Sequence, residues 1–443
     1  MAYNISQDSV ITALIVPSTK NFLTCGGTNN DTPKNGTSYS NFIANLTPTL
    51  PSTINFRYIF NSTKYNMNDP KPIVKGYSTT STAPVKIKQF LYNNASIQYI
   101  CGQFNLSSPS AVNIMYFNPT LQTSPSSNGT FTSLGLTFSP SATPPATATT
   151  VNCMAFGSDT TTIYIAGNFT SVTKTGVSNG NIASLTLSGS TWVVNTSIAA
   201  NTTINAAGTI INSMIFFNRI LYVAGTDGTN CLFFSYNTIS NTWTDLLGGT
   251  FTGTINVIKY INFNRQNIIA IGGKFADLGT VTGCNNIVLY TISISGIGVW
   301  SDLGVGVDGV GASAAAPWGV AQVFSLEYIP ITISNSILWV CGYFRNGGGS
   351  EKNSIATVDI NTKVWGNVVK AGSTDIGLKY FDESDQPGVV YCSSQAPTDA
   401  SNIIVGGSFR IINSRGGISY NLVKISTATP LSNRTNVYNI TTL

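Results

Sequence analysis

Histidine is absent from this chain of 443 residues, and its absence removes several common kinds of catalytic and metal site. Ser-His-Asp and Cys-His nucleophile systems both rely on an imidazole as the general base. A zinc site with mixed Cys and His ligands is excluded for the same reason, and the seven cysteines include no Cys-x-x-Cys pair. We therefore predict a protein that binds no cofactor and is not an enzyme.

Charged residues and long apolar runs are also scarce. Charged side chains make up 9% of the chain, whereas roughly 25% is usual for soluble proteins. The 22 basic and 17 acidic residues form no basic run, so we expect no nucleic-acid partner. No apolar stretch is long enough to span a membrane, and the N-terminus lacks the regions of a classical signal peptide. Because 42% of the residues are hydrophobic, the chain can still bury a large core.

A repeated strand motif predicts the fold. Seven times, a run of large apolar residues ends in a small residue and a glycine, commonly with an aromatic residue two places later, as in Tyr164 to Phe169. Loose periods of this length are typical of propeller blades with variable loops. The seven glycines are Gly26, Gly102, Gly167, Gly225, Gly273, Gly342 and Gly407.

Each repeat also supplies the other strands of a blade. An inner strand lies upstream, as at 151–156, a third strand commonly opens with an asparagine such as Asn286, and a fourth carries an aromatic residue before Leu-Gly, as at Trp300. We assign the chain to the all-β class, as a seven-bladed β-propeller of four-stranded antiparallel blades. Residues 1–443 then form a single β-propeller domain, with blades at about 8–60, 84–138, 150–198, 209–251, 254–304, 322–370 and 388–443.

Crowding near the propeller axis offers a reason for the small residue and the glycine of the motif. Both would let the backbones of neighbouring sheets approach closely. At the rim, the aromatic residues of the fourth strand have room to wedge between blades. The outer strand of the last blade is predicted at 436–440.

The order of these motifs resembles that of kelch and galactose-oxidase-like propellers. The motifs are an aromatic residue before Leu-Gly (Trp300 to Gly304), a small residue before Gly-x-Phe (Ala166 to Phe169) and an Asn-Ile-Ala strand (181–183). They look closest to the propeller of the Rax2-type cortical marker proteins of fungal cell surfaces. The composition also resembles that of structural proteins of large DNA viruses of protists. The resemblance implies a propeller fold, and it does not extend to the copper centre of galactose oxidase, which needs histidine ligands.

One face of the predicted propeller carries most of the long loops. With the strands of a blade lettered A to D from the axis outward, the D–A and B–C loops share that face. Long loops on a rigid scaffold commonly carry function, so we predict that this face binds the partner. Its loops include the D–A segments 61–83, 137–150, 304–321 and 367–387 and the B–C segments 28–40, 170–180, 276–285, 345–353 and 410–419.

Five residues of the long-loop face are candidate binding residues. Asp308 and Trp318 belong to a Gly- and Ala-rich insertion that would place an aromatic side chain at a partner surface. Packing over the central channel is the alternative for this insertion. Arg345, Arg410 and Arg415 lie in matching B–C loops and together would hold a carboxylate or sulfate, unless they are ordinary surface arginines.

Loop 367–387 also contains a cluster of acidic residues. Carboxylate oxygens are the ligands that Ca²⁺ prefers, so the cluster is a candidate metal site. The alternative is a solvated acidic loop, since no EF-hand spacing is present. The four acidic residues are Asp375, Asp382, Glu383 and Asp385.

The cysteines are predicted to be mostly reduced. Cys25, Cys101 and Cys341 occupy the small-residue position of the motif, where a buried thiol packs as a small apolar group. Only Cys284, in a B–C loop, is expected to be free to react. Asn-x-Ser/Thr sequons are frequent because Asn, Ser and Thr are abundant, so they indicate glycosylation only weakly. We expect assembly in a reducing compartment.

Three functions remain open on the sequence. The first is a non-enzymatic structural or display protein of a virion or extracellular surface assembly, with protein or glycan partners. The second is a carbohydrate- or receptor-binding attachment module. The third is a polysaccharide-active hydrolase or lyase, because glycosidases need only two suitably spaced carboxylates.

Overall fold

The computed structural model of the protein consists of β-strands joined by turns and loops. It describes part of the chain, and every structural statement below refers to that part. The described residues are 9–15, 23–29, 41–48, 54–58, 86–93, 97–107, 110–118, 130–140, 149–195, 198, 201–293, 298–309, 320–330, 336–370, 376–379, 386–395, 402–412, 418–427 and 437–442.

Thirty-five strands are described. The first nineteen are β1 (Ser9–Ile15), β2 (Leu23–Asn29), β3 (Asn41–Pro48), β4 (Ile54–Tyr58), β5 (Lys86–Tyr92), β6 (Gln98–Ser107), β7 (Ser110–Asn118), β8 (Thr130–Ser133), β9 (Thr137–Ser139), β10 (Thr150–Phe156), β11 (Thr162–Asn168), β12 (Ser171–Lys174), β13 (Gly176–Asn179), β14 (Ile182–Ser188), β15 (Thr191–Asn195), β16 (Ile210–Phe217), β17 (Ile220–Thr226), β18 (Cys231–Asn237) and β19 (Thr242–Asp245). The others are β20 (Gly253–Phe263), β21 (Gln266–Phe275), β22 (Ile287–Ile292), β23 (Val299–Ser301), β24 (Val307–Asp308), β25 (Gln322–Pro330), β26 (Ser336–Tyr343), β27 (Asn346–Gly347), β28 (Ser350–Glu351), β29 (Ile355–Asp359), β30 (Trp365–Asn367), β31 (Val369–Lys370), β32 (Val389–Gln395), β33 (Asn402–Ile412), β34 (Ile418–Thr427) and β35 (Val437–Thr442).

Most of these strands form a series of four-stranded sheets in which neighbours in sequence are neighbours in space. Sheet 1 is β1-β2-β3-β4, sheet 2 is β5-β6-β7-β8, sheet 3 is β10-β11-β14-β15 and sheet 4 is β16-β17-β18-β19. Sheet 5 is β20-β21-β22-β23 and sheet 6 is β25-β26-β29-β30. Sheet 7 is β32-β33-β34-β35 with a fifth strand, β31, which pairs in parallel with β35. Two small sheets, β9-β12-β13 and β24-β27-β28, are built from loop segments.

Contacts within the chain divide it into two compact units. Unit one consists of Met1–Leu23, Pro48–Ile54 and Leu246–Leu443, and contains sheets 5, 6 and 7. Unit two consists of Thr24–Thr47 and Asn55–Asp245, and contains sheets 2, 3 and 4. Within each unit the inner strands of successive sheets pack side by side, β20 on β25 on β32 in unit one and β5 on β10 on β16 in unit two.

Sheets of four antiparallel strands that stack face to face in sequence order are the blades of a β-propeller, so the predicted all-β propeller class is confirmed. The A, B, C and D strands fall where the motifs predicted them, and β35 covers most of the segment expected to be the last outer strand. The fifth strand of sheet 7 was not predicted. The assignment of all 443 residues to one seven-bladed domain stays a prediction.

A bulge recurs at the same place in the inner strands. In sheet 3 the register between β10 and β11 shifts after Val151, which leaves Asn152 as the extra residue. Bulges of this kind bend and twist one strand of an antiparallel pair. The shifts lie between Ile87 and Gln89, Val151 and Cys153, Ile211 and Ser213, Ile255 and Val257, Val323 and Ser325, and Val390 and Cys392.

This bulge explains the motif glycine. Gly167 pairs with the residue just before the bulge, and a Cβ there would collide with the carbonyl oxygen of Thr150 in the same sheet. The interpretation that the glycine admits a neighbouring sheet is therefore wrong. The small residue before it has that role, because a Cβ at Gly272 would meet Val323 of the next sheet. The equivalent collisions are Gly225 with Ile210, Gly273 with Thr254, Gly342 with Gln322 and Gly407 with Val389.

The asparagine that opens several C strands is also explained. Asn286 has a φ of 72°, a left-handed conformation that asparagine tolerates better than most residues. Its Oδ1 accepts the Phe275 backbone N–H at 3.0 Å, and its Nδ2 donates to the Val307 carbonyl oxygen at 2.8 Å. Asn113, with a φ of 59°, makes the same two kinds of bond, with Thr149 as the acceptor. One side chain thus joins the B strand to the following D–A segment.

Tryptophans of two D strands tie their sheets to the preceding ones, as predicted for the rim. The indole N–H of Trp365 donates to the Leu303 carbonyl oxygen at 2.7 Å in unit one. The indole of Trp243 donates to the Ile198 carbonyl oxygen at 3.2 Å in unit two. Each tryptophan therefore combines apolar packing between sheets with one hydrogen bond that fixes its position.

Candidate functional site

The D–A segment after sheet 5 and the B–C hairpin of sheet 6 join in a small antiparallel sheet. Val307 and Asp308 of β24 lie opposite Gly347 and Asn346 of β27. The hairpin turns at Gly348 and Gly349, whose φ values of 59° and 79° are those of a tight two-residue turn that favours glycine. We call β24, β27 and β28 the platform. It confirms that D–A and B–C loops meet on one face.

Two of the five predicted binding residues are brought together on the platform. The Arg345 backbone N–H donates to the Asp308 carbonyl oxygen at 3.1 Å. The Asp308 carboxylate accepts a hydrogen bond from Asn346 Nδ2 at 2.9 Å. Asp308 and Arg345 are both half-buried, and the bond from Asn346 holds the Asp308 carboxylate in place.

The remaining predicted site residues are placed less fully. Arg410 lies in β33 opposite Tyr420, and its side chain is outside the described set. Trp318 and Arg415 lie outside the described residues. The four acidic residues of the metal hypothesis, Asp375, Asp382, Glu383 and Asp385, lie outside them as well. Within the described ranges no group of three or more His, Cys, Asp or Glu side chains is arranged to hold a metal ion.

Lys352, which no sequence motif singles out, lies under the platform. Its side chain is 2% exposed, and its Nζ donates to Ser350 Oγ at 2.6 Å. Burial lowers the pKa of Lys352 below the ordinary value of 10.5, because the charged form loses hydration. Lysine is seldom buried without a carboxylate, so no sequence pattern would have predicted this position.

The asparagines Asn285 and Asn353 also bind backbone groups of the D–A segments. Asn285 Nδ2 donates to the Val305 carbonyl oxygen at 3.0 Å, and Asn353 Nδ2 donates to that of Ile376 at 3.0 Å. A Cβ on Gly306 would collide with the carbonyl oxygens of Cys284 and Asn285, and Gly377 stands in the same relation to Lys352 and Asn353. The long loops are therefore held to the scaffold by repeated contacts.

Cys284 corrects one expectation about reactivity. Its side chain is fully buried, and its Sγ donates to the Ala276 carbonyl oxygen at 3.4 Å. Burial, with a further contribution from Asp277, raises the pKa of Cys284 to about 12. The prediction that this thiol is free to react is wrong, since a thiol with such a pKa forms almost no thiolate at neutral pH. Six cysteines have described side chains, and each of these is buried and outside any disulfide: Cys101, Cys153, Cys231, Cys284, Cys341 and Cys392.

Two valines of one long D–A loop remain largely open to solvent. Val305 is 51% exposed and Val320 is 49% exposed, at the two ends of the long D–A loop of sheet 5. Single exposed apolar residues are ordinary on a protein surface. The Val305 carbonyl oxygen is held by Asn285 of the preceding B–C loop. In the part of the chain described, no helix is long and apolar enough to cross a membrane.

Comparisons with known proteins give likeness of fold. No protein-family model matches the sequence, and no curated protein matches it. The β-propeller domain of Cps50 (Swd1) from Myceliophteria thermophila is similar in structure, with a TM-score of 0.45, 7% identity, and coverage of 90% of this chain and 96% of that one. A protein from Lactobacillus plantarum is similar at a TM-score of 0.44 and 9% identity, covering 80% of this chain and 82% of that one. Neither likeness indicates a function.

Proposed function

We propose that the protein is a non-enzymatic structural or display β-propeller, a component of a virion or extracellular surface assembly that binds partners through its long-loop face. The observation that carries the proposal is the platform, where two long loops are pinned to each other and to the scaffold by backbone pairing and asparagine bonds. A rigid surface with fixed polar groups and few charges suits a role in assembly. The kelch- or Rax2-type relationship suggested by the motifs belongs to this proposal too.

The state of the thiols supports assembly in a reducing compartment. Cys101 and Cys341 are fully buried, and burial raises the pKa of both thiols well above the ordinary value. The Asn195 sequon points the same way, because its Nδ2 donates to Ser184 Oγ at 3.2 Å and to Thr186 Oγ1 at 2.6 Å. A glycan on that nitrogen would replace one of these hydrogen bonds within sheet 3. The folded chain is therefore expected to carry no glycan at Asn195.

Quantitative mass spectrometry of the source material tests the proposal directly. The material is separated into soluble cytosol and purified particle or surface fractions, and the copy number of the chain is measured in each. We expect many copies in the particle or surface fraction. A low-copy protein confined to the cytosolic fraction would contradict the structural role and favour an intracellular scaffold.

Loop variants test whether the long-loop face makes the contact. Replacement of the hairpin 346–351 by a short turn removes the platform, while replacement of Asn264 and Arg265, the two-residue A–B turn of sheet 5, by two glycines serves as the control. We expect only the first variant to be lost from the assembled fraction. Equal incorporation of the two variants would place the contact elsewhere.

A glycan-binding attachment module is the second candidate. It is favoured by an aromatic pair on the inner strands of sheets 6 and 7, where the rings of Phe324 and Tyr391 are half-exposed with centroids 5.2 Å apart. Aromatic faces of this kind are common in binding sites that contain a few placed polar groups.

A further inference from the structure

The bulge position of the inner strand has a recurring structural role. Because an inner strand is the edge of its sheet, its outward carbonyl groups need partners. Asn152 of sheet 3 donates from Nδ2 to the Ile211 carbonyl oxygen of sheet 4 at 2.9 Å. Asn256 of sheet 5 donates in the same way to Val323 of sheet 6 at 3.0 Å. An asparagine at the bulge therefore fastens one sheet to the next.

Sheets 2, 6 and 7 depart from this arrangement, and the bulge residue of sheet 2 is Lys88. Phe324 and Tyr391 occupy the bulge position of sheets 6 and 7, as the register shifts on either side of them show. A phenyl ring has no donor with which to repeat the asparagine bond. The two rings instead pack on each other at 5.2 Å with a tilt of 41°, and both are half-exposed. Functional residues are expected at positions where a repeat lacks the structural residue found in other repeats.

Polar side chains lie on both sides of the aromatic pair. Gln322, two residues before Phe324, is half-buried, and its Oε1 lies 3.4 Å from Asn256 Nδ2. Ser325 and Ser393 follow the aromatic residues, with their hydroxyl oxygens 2.9 Å apart. Amide and hydroxyl groups thus lie within two positions of the aromatic residues along the two inner strands.

An ion pair lies further along the same inner strands. Lys259 Nζ and Glu327 Oε1 are 2.8 Å apart, and the side chain of Glu327 is 13% exposed. The inner strands β20, β25 and β32 contain one basic and one acidic residue, Lys259 and Glu327, so these described strands carry no net charge that would select a charged ligand. The inner strands begin directly after the D–A segments, which places the aromatic pair at the end of the strands nearest the long loops.

We propose that the Phe324–Tyr391 pair is a binding site for a neutral sugar unit of a glycan. The apolar face of a sugar ring packs on aromatic rings, and its hydroxyls exchange hydrogen bonds with amides and serines without any charge being buried. This inference names a ligand for the second candidate function. Its failure would leave the proposed structural role intact, because that role is judged by copy number in the assembled fraction.

The substitution Phe324→Asn is the decisive test. It restores the residue type that sheets 3 and 5 have at this position. The introduced amide would then be able to donate to a backbone carbonyl oxygen of the inner strand of sheet 7. The variant should therefore unfold at the same denaturant concentration as the wild type or at a higher one. Binding of four neutral methyl glycosides, those of glucose, galactose, mannose and N-acetylglucosamine, is followed by saturation-transfer NMR and calorimetry. We expect the wild type to bind at least one of them saturably, and Phe324→Asn and Tyr391→Ala to bind it at least tenfold more weakly.

Tyr328→Phe provides a matched control on the same inner strand. Its hydroxyl bonds to Ser336 Oγ at 2.9 Å and not to the aromatic pair, so the affinity for the glycoside should stay unchanged. Absence of saturable binding of all four glycosides to the wild type would overturn the inference. Equal affinity of the wild type and the stably folded Phe324→Asn variant would overturn it as well.

Discussion

The two small sheets have the same backbone plan and different chemistry. In unit two, β9 pairs with the hairpin β12-β13, and in unit one, β24 pairs with the hairpin β27-β28. Each D–A segment leaves its sheet through a Leu-Gly pair whose glycine has a positive φ, 69° at Gly135 and 80° at Gly304. The backbone therefore fixes where the loops meet in both units.

Side chains distinguish the two. The sheet of unit two is held by aromatic packing, with the rings of Phe138 and Phe169 5.3 Å apart and edge-on. The platform of unit one has the smaller Val307 in the place of Phe138, and adds the Asp308–Asn346 bond and the buried Lys352. The same strand pairing can thus be stabilised by buried apolar side chains or can carry fixed polar groups. Only the sheet with polar groups offers specific hydrogen-bonding partners to another molecule.

The largest expected loss of stability is in the small sheet of unit two, which is held by aromatic packing. Phe138→Ala removes a buried ring from the contact with Phe169 and should lower the free energy of unfolding by about 3–5 kcal/mol. Val307→Ala removes a smaller buried side chain and should cost about 2 kcal/mol. Denaturant unfolding of both variants measures the difference. Equal losses would show that the two sheets do not differ in apolar sealing.

The next effect concerns the asparagine that holds the platform. Asn286→Asp keeps the acceptor for Phe275 but sets a carboxylate against the Val307 carbonyl oxygen in a buried position. We expect the free energy of unfolding to fall by about 2–3 kcal/mol. Asn285→Asp is the control, because its bond to Val305 is exposed and should be worth about 0.5–1 kcal/mol. Similar losses at the two positions would contradict a special role for the buried bond.

The substitution Lys352→Met tests how much the buried lysine lowers the free energy of unfolding. Replacing a buried charge by an apolar side chain of similar length should raise the free energy of unfolding by about 1–3 kcal/mol at neutral pH. The pKa of Lys352 is lowered in the folded state, so the unfolded chain binds the proton more tightly. Wild-type stability should therefore fall relative to the variant as the pH drops through 10.5, and should level off below the folded-state pKa.

The control for that prediction is the pH dependence itself. Unfolding free energies of wild type and variant are compared above pH 10.5 and at neutral pH. The variant could instead be less stable than the wild type by the same amount at both pH values. That result would show that Lys352 stabilises the platform through its hydrocarbon stem and its bond to Ser350, and that burial of its charge does not lower the free energy of unfolding.

The smallest effect is expected at the surface ion pair beside the platform. Lys363 Nζ lies 2.9 Å from Asp302 Oδ1, and both side chains are almost half exposed. The hydrogen bond from Lys363, with a second from the Gly304 backbone N–H, lowers the pKa of Asp302. Lys363→Gln should raise that pKa toward its ordinary value, as followed by NMR titration, and should cost about 0.5 kcal/mol or less. A loss that persists in high salt would point to packing instead of charge.

Much of the fold could be predicted because it depends on local, repeated requirements. The apolar runs, the Leu-Gly pairs and the opening asparagines recur in the sequence because each blade needs the same strands and turns. The reason for the glycine could not be predicted. A bulge on the facing inner strand appears only once β10 and β11 are paired, when the Cβ at Gly167 would strike Thr150.

The candidate site was predictable only in outline. Asp308 and Arg345 are 37 positions apart in sequence (345 − 308), and they meet because a D–A segment pairs with the hairpin of the next sheet. Cys284 follows the general rule that cysteine is easily buried, but its loop position suggested exposure, and only packing showed otherwise.

The sequence by itself determined that the chain is all-β, which strands form each sheet and which positions must be small, because these properties arise from periodicity and from steric limits within one repeat. The tertiary structure alone decided that Lys352 is buried, that Cys284 is unreactive, and that Phe324 and Tyr391 face each other. The physical reason is that burial and proximity between sheets depend on distances that no single repeat contains.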